Sequence, residues 1–254
     1  MGKDFFPHRK DNFVTLVIGH RGAPRVAPEN TLAAFRAAVA MGADGVELDV
    51  RQDAAGDLVV HHDAHLPDGR AVVEVRGDDL PPGTAEIGAA LDACAGMALV
   101  NVEIKNWPDD VDFDPTLGHV DAVVAELVAR PAAEQARFVV SCFHLPSVDR
   151  VRELAPDLVT GWLVVGPANG APPGAPDPVA TLVAEVVDHG HQALHPHHAF
   201  VTPELVKSAH AEEVAVNCWT CDDPDRIRWL ADVGVDAIVT NVPDVALAAL
   251  GRRG

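Results

Sequence analysis

Four short strings in the 254-residue chain carry side chains that can move protons, hold a cation and bind an anion: His20-Arg21, Glu47-Leu48-Asp49, His62-Asp63 and Glu103-Ile104-Lys105. Two residues apart on an extended strand, Glu47 and Asp49 point to one side, and Glu103 and Lys105 do the same. Three carboxylates at one rim repel one another unless a cation lies between them, and an all-oxygen donor set suits Mg2+ or Ca2+ rather than zinc. One acid at a strand end is an ordinary solvated residue; three of them beside two histidines favour a metal site. His20 and His62 can act as a general base and a general acid near neutral pH. Arg21 and Lys105 add fixed positive charge of the kind a phosphoryl group needs. The pattern is that of a metal-assisted phosphoester site.

These strings need a scaffold that delivers them to one place. Short apolar runs at 14–19, 45–50, 98–104, 137–142, 158–165, 192–195, 213–219 and 236–240 alternate with Ala-rich amphipathic stretches at 30–41, 85–95, 118–129, 146–154, 178–189, 203–211, 224–233 and 243–250. Val- and Ile-rich strands without polar alternation fit a parallel sheet covered by helices. Thr202-Pro203-Glu204 and Asp223-Pro224-Asp225 each place Pro after a capping residue with an acid in the first turn, while Gly42 and Gly234 stand where a helix must stop. Eight βα units in this length predict a (β/α)8 barrel, with an open doubly wound sheet as the alternative. A barrel presents its chemistry at the carboxyl ends of its strands, where all four strings fall. The later strands add Ser141, Phe143, His195, Asn217, Trp219, Thr240 and Asn241 to the same rim. Asp53-Ala-Ala-Gly-Asp57 predicts a turn, so a hairpin grows from strand two, and residues 64–84 form a Pro-, Gly- and Asp-rich insertion or lid. Residues 1–12 are expected to be a flexible arm, 13–254 one barrel domain and 166–177 a surface loop.

Composition narrows the partners. Thirty-eight acids against nineteen Lys and Arg give a formal charge of −19, which argues against nucleic acid and against stable association with an anionic membrane. Apolar residues make up 48% of the chain, enough for a real core, and four cysteines are too few for a disulfide scaffold. Without a targeting segment or a membrane-spanning run, a cytoplasmic enzyme acting on a small-molecule phosphodiester is the expectation.

The string His20-Arg-Gly-Ala-Pro-Arg-Val-Ala-Pro-Glu-Asn-Thr31, followed by Gly42-Ala-Asp-Gly-Val-Glu-Leu-Asp-Val50, Leu58-Val-Val-His-His-Asp63 and Val102-Glu-Ile-Lys105, resembles the glycerophosphodiester phosphodiesterase family. Asn217-Cys-Trp-Thr220 and Gly234-Val-Asp-Ala-Ile-Val-Thr-Asn-Val-Pro-Asp244 look like its closing motifs, so the resemblance runs in order over roughly residues 14 to 250. It implies a barrel in which His20 and His62 form the acid–base pair, Glu47, Asp49 and Glu103 hold Mg2+ or Ca2+, and Arg21 and Lys105 contact the phosphate. Trp219 would line the pocket. The implied reaction cleaves glycerophosphodiesters to glycerol 3-phosphate and an alcohol. The chain departs from the family at Asn241, where an Asp is usual, and after His62-Asp63, where Ala64-His-Leu-Pro-Asp-Gly-Arg70 replaces the familiar run.

Other features carry less. Cys218 and Cys221, three apart on a strand, face opposite sides and make neither a metal site nor a disulfide. Pro28-Glu29-Asn30-Thr31 is read as a loop that caps the first helix. His189, His191, His195, His197 and His198 form a tract read mostly as surface, with His195 alone placed near the substrate pocket. Two rival functions remain: a lysophospholipase D or sphingomyelinase D-like phosphodiesterase, and a non-catalytic barrel that binds phosphodiesters.

Overall fold

The computed structural model describes residues 14–165 and 178–252. The Val- and Ile-rich runs become strands β1 (Leu16–Gly19), β2 (Gly45–Gln52), β3 (Leu58–Val60), β4 (Ala85–Glu86), β5 (Leu99–Ile104), β6 (Phe138–Cys142), β7 (Val159–Val164), β8 (Ala193–Pro196), β9 (Ala215–Cys218) and β10 (Ala237–Thr240). Eight of them run parallel in the order β1-β10-β9-β8-β7-β6-β5-β2, and β1 also pairs with β2, so the sheet closes on itself. This is the (β/α)8 barrel that the alternation of elements predicts. β3 and β4 extend it as an antiparallel hairpin from the far end of β2.

The connecting helices are α1 (Leu32–Ala40), α2 (Ile87–Ala93), α3 (Gly118–Val128), α4 (Ala132–Gln135), α5 (Leu145–Leu154), α6 (Pro178–Asp188), α7 (Pro203–Ala211), α8 (Pro224–Val233) and α9 (Pro243–Ala249). Their starts follow the capping chemistry: the side chains of Thr31, Thr202 and Asp223 accept from Ala34, Leu205 and Arg226 N–H groups. Gly234 ends α8 at φ +90°, the left-handed conformation that glycine tolerates. The single turn of α4 was not anticipated, because four residues are too short to show a helical period.

Two shells of packing follow from strand alternation. Outward-facing Val46, Leu48, Val50, Val100, Val102 and Ile104 pack beneath the helices on one side, and Leu194, Val216 and Ile238 on the other. Inside the barrel, Leu16, Ile18, Leu99, Val139, Val159, Ala237 and Val239 fill the end near the strands' amino termini. Asn101, Ser141, His195 and Asn217 are buried on the same inward-facing registers, nearer the carboxyl ends. The barrel is a packed core that becomes polar toward its carboxyl rim.

In the predicted hairpin turn, Asp53 Oδ1 accepts from the N–H groups of Ala55 and Asp57. Residues 64–84 contain two short 3-10 turns and bury Leu66, Val72, Val75 and Leu80 against Val59 in an apolar cluster of their own. The expected arm at 1–12 and loop at 166–177 lie outside the described residues.

Barrel closure depends on one close approach. A Cβ on Gly45 would stand 2.3 Å from the carbonyl oxygen of Leu99 and 2.9 Å from Ile18 Cδ1, at the junction of β1, β2 and β5. Gly45→Ala should therefore cost about 1–3 kcal/mol through overpacking, read as a lower denaturant midpoint with an unchanged slope. An unchanged midpoint would contradict this view of the seam.

Candidate active site

The parallel register of β2 and β5 sets Asp49 directly beside Glu103, and Glu47 lies one pleat back on the same face of β2. The three carboxylates offer oxygens that all lie within 4.8 Å of one another, and all three residues are buried. Two of the oxygens, Glu47 Oε1 and Asp49 Oδ1, accept no hydrogen bond among the described residues. An anionic, all-oxygen cluster with unsatisfied lone pairs fits a hard divalent cation, which these three side chains could hold.

The loop after β1 is wound tightly around this cluster. Arg21 and Asn30 both adopt positive φ, at 55° and 56°, and the Asn30 N–H donates to the Arg21 carbonyl. The strained turn aims the Arg21 backbone N–H at Glu47 Oε2, 2.9 Å away, while Asn30 Nδ2 donates to Asp49 Oδ2 at 2.8 Å. The Arg21 guanidinium lies between Glu29 (2.7 Å) and Asp49 (3.2 Å). From β5, Lys105 Nζ reaches Glu103 at 2.6 Å and Asp49 at 3.5 Å. Two cations thus flank three anions.

The charges divide the carboxylates. Burial raises the Glu47 carboxyl well above its ordinary value, and the neighbouring charges of Asp49 and Glu103 push it the same way. Burial would also raise Asp49, but Lys105, His62 and Arg21 outweigh it and hold Asp49 at about 2. Lys105 is pushed above the usual lysine range because Glu103 and Asp49 outweigh its burial.

The two histidines stand on different supports. His20 Nδ1 is 2.7 Å from Asn241 Oδ1, and Asn241 Nδ2 donates to Asp222 at 2.9 Å. Asp222 also accepts from the Thr240 hydroxyl and the Asn241 N–H. This fixes the Asn241 amide with its oxygen toward His20, so His20 carries its proton on Nδ1 and leaves Nε2 as the free lone pair, 3.9 Å from Glu47. Burial, aided by Arg21, keeps His20 below the usual imidazole range despite the Asn241 bond. His62 is more open, one-third exposed, and its Nδ1 is 2.7 Å from Asp63. Buried Arg51 clamps the backbone beneath it: Nε donates to the His62 carbonyl at 2.8 Å, and the remaining nitrogens bind Asp112 through both oxygens and Asp110.

His62, Glu103 and Lys105 open onto a cavity of about 970 Å3, walled by Arg51, Trp107 and Phe143 and edged by residues 64–67 of the insertion. Trp219 packs edge-on against Phe143 with ring centroids 5.3 Å apart, and Phe143 meets Trp107 in the same way at 5.8 Å. His195 is placed differently from the pocket position expected of it. It is buried inside the barrel, with its Nε2 3.0 Å from Asn217 Nδ2 and its carbonyl accepting from Trp219 Nε1. Burial presses its ring down to about 3, so it is neutral, and it supports Trp219 from below.

Glu47, Asp49, Glu103, His20, Arg21 and Lys105 thus converge, His62 faces the adjoining cavity, and His195 stands behind Trp219. Sequence reasoning missed Asn30, Arg51 and Asp222. Arg51 was within reach, since it continues the 47–49–51 alternation; Asp222 was not, because its partner lies nineteen residues further on. The histidine tract is less superficial than expected, for His191 is buried as well as His195. All four cysteines are buried and free.

Crowding like charges stores instability that the chain retains. The raised Glu47 carboxyl favours the fold at low pH, where it is protonated, and that contribution is lost as pH rises through its folded value. In chelator at pH 8, Glu47→Gln should therefore melt a few degrees above the parent, as about 1 kcal/mol moves Tm by ~2–4 °C at this length. A lower midpoint would show that the carboxylates do not repel as described.

Known proteins share this sequence pattern and fold. The model of the glycerophosphoryl diester phosphodiesterase family matches residues 20–79 and 89–245, more than half of the chain. A glycerophosphodiester phosphodiesterase of Caldanaerobacter subterraneus is 29% identical over 94% of this chain and 99% of its own. A crystal structure from Silicibacter pomeroyi, assigned as a glycerophosphoryl diester phosphodiesterase, superposes with a TM-score of 0.84 at 29% identity, covering 99% of each chain. An Oleispira antarctica phosphodiesterase solved with its product sn-glycerol-3-phosphate shares the fold at 22% identity and a TM-score of 0.80, over 94% of this chain and 97% of that one. The chain belongs to the glycerophosphoryl diester phosphodiesterase family.

Proposed function

We propose that the protein hydrolyses glycerophosphodiesters to glycerol 3-phosphate and an alcohol, with a divalent cation, Mg2+ or Ca2+, held by Glu47, Asp49 and Glu103. The observation that carries this reading is the convergence of those buried carboxylates with His20, Arg21 and Lys105 at one rim of a barrel of this family. Residues 13–254 act as one catalytic domain, with 64–84 contributing to the wall of its cavity.

The division of labour follows from the hydrogen bonds. His20, neutral and with Nε2 free, takes the proton from the attacking oxygen, while Asn241 accepts from its Nδ1–H and keeps the ring in that tautomer. His62, on the open side of the site with Nδ1 on Asp63, delivers a proton to the leaving alkoxide. Arg21 and Lys105 face the phosphate oxygens and stabilise the charge that grows on them. Held by Glu47, Asp49 and Glu103, a divalent cation would supply further charge neutralisation and would acidify an attacking hydroxyl. Trp219 and Phe143 offer an apolar wall to the carbon skeleton of the substrate.

A second reading, lysophospholipase D-like cleavage, draws on Trp107 and Val165, which line the cavity and are 44% and 61% exposed. No helix among the described residues is long and apolar enough to cross a membrane. The acidic chain favours small glycerophosphodiesters of choline, ethanolamine or glycerol over bilayer-bound lipids.

Release of glycerol 3-phosphate from such a panel should fall to background after exhaustive chelation and return with Mg2+ or Ca2+. Full activity in chelator would reject the cation, and much faster turnover of vesicle-bound lysolipid would favour the second reading. His20→Ala and His62→Ala should each cost at least ~10²-fold in kcat. A nitrophenyl leaving group needs little acid help, so it should rescue His62→Ala far more than His20→Ala. Equal rescue of both variants would refute the assigned roles.

A further inference from the structure

The histidine tract divides in two around β8. His195 and the residues after it belong to the carboxyl end of the barrel, whereas His189 and His191 precede the strand, at the opposite end from the catalytic rim. There they meet Asp149 on α5. His189 Nδ1 is 2.8 and 3.0 Å from the two Asp149 oxygens, and His191 Nε2 is 3.1 Å from Oδ1. One donor atom from each of the three residues lies within 4.8 Å of the others.

The surroundings of His191 point this cluster toward a metal. Its side chain is fully buried, and its Nδ1 lies 3.0 Å from Thr160 Oγ1. Thr160 has one hydroxyl proton, and a second acceptor faces it: Gln192 Oε1, at 3.1 Å, is oriented by the Thr160 N–H at 2.9 Å and by its own Nε2 on the Gly190 carbonyl. With that proton on Gln192, Thr160 accepts from His191 Nδ1–H, and Nε2 is left as a lone pair. No hydrogen bond of acceptable alignment reaches Nε2 among the described residues, although a carboxylate oxygen is in contact distance. A buried imidazole nitrogen therefore faces a partly exposed carboxylate, with the second ring nitrogen of His191 held by Thr160 as outer hydrogen-bond partners hold metal-binding imidazoles.

We propose that Asp149, His189 and His191 form a second metal site, distinct from the carboxylate cluster and selective for Zn2+ over Mg2+ and Ca2+. Two imidazoles and one carboxylate are a zinc-type donor set, and the exposed side at His189 leaves room for water as a fourth ligand. The ion ties α5 to the turn between α6 and β8, so it is a clamp on the wall of the barrel. The Arg152 guanidinium, packed against Gly190, keeps positive charge close by, so affinity falls below that of a closed four-ligand zinc site.

The test is calorimetric titration of chelator-stripped protein with Zn2+ in the presence of saturating Mg2+, repeated for His189→Gln, Asp149→Asn and Thr160→Val, with thermal unfolding in parallel. The parent should bind one Zn2+ at this site and melt at a higher temperature with it. His189→Gln and Asp149→Asn, at partly exposed positions, should weaken that binding at least ~10-fold and abolish the thermal shift, and the near-isosteric Thr160→Val should weaken it ~10–100-fold by freeing the ring. The same titration in Glu47→Gln/Asp49→Asn/Glu103→Gln should retain one Zn2+, which separates the site from the catalytic cluster. No Zn2+ uptake by the parent, or equal uptake by His189→Gln and Asp149→Asn, would overturn the proposal and leave an ion-paired histidine couple. If the triple variant does not fold, the comparison of His189→Gln with the parent decides alone.

Discussion

Asp49 and Glu103 stand side by side because β2 and β5 are parallel neighbours in register, and Glu47 joins them because a strand returns to the same face every second residue. That juxtaposition of buried like charges is the constraint around which the rest of the rim is arranged. Left alone it would be strongly unfavourable, since burial and mutual repulsion both oppose ionisation. The chain answers with Lys105 and Arg21 as counter-charges, with Asn30 as a donor to Asp49, and with a backbone N–H delivered to Glu47 by a turn that puts two non-glycine residues at positive φ. Two carboxylate oxygens, Glu47 Oε1 and Asp49 Oδ1, still accept no hydrogen bond among the described residues, which leaves lone pairs that a hard cation could use.

The same logic explains how the barrel divides its duties. Apolar side chains fill the interior at the strands' amino termini, and polar ones rise toward the carboxyl rim, so stability and chemistry occupy different ends. Between them lie residues that act on the site without facing it. Arg51 bonds to the His62 carbonyl and to two aspartates, which locks the hairpin to the loop after β5. His195 and Asn217 carry Trp219 from inside the barrel. Asp222 reaches His20 only through Asn241. The group against His20 Nδ1 is the Asn241 amide, and the Asp222 carboxylate stands one hydrogen bond further back. The His20 ring is thereby oriented at Nδ1 by a neutral amide.

Much of this was legible in the sequence because it depends on short periods. Alternation along 45–50 and 98–104 was enough to put Glu47 with Asp49 and Glu103 with Lys105, and Pro or Thr at helix starts marked α7 and α8. Long-range partners were not legible. Asn30 reaches Asp49 across nineteen residues and Arg51 reaches Asp112 across sixty-one, and no local period encodes such pairings. Burial was misjudged for the same reason. His191 and His195 follow an exposed helix end in a polar stretch, yet the closing of the barrel takes both out of solvent. Closure itself, the pairing of β1 with both β2 and β10, rests on the whole count of strands rather than on any one of them.

The central claim, that three buried carboxylates are held together for a divalent cation, is open to a measurement that does not involve catalysis. Thermal unfolding of chelator-stripped protein should be followed over a range of Mg2+ and of Ca2+ concentrations, with Asp49→Asn alongside. A ligand of the native state alone adds about 2.7 kcal/mol at one hundred times its Kd, so the parent midpoint should climb steadily with the concentration of the preferred ion while that of Asp49→Asn stays flat. A parent midpoint indifferent to both ions would contradict the account and reduce the cluster to an internal ion-pair network with Arg21 and Lys105.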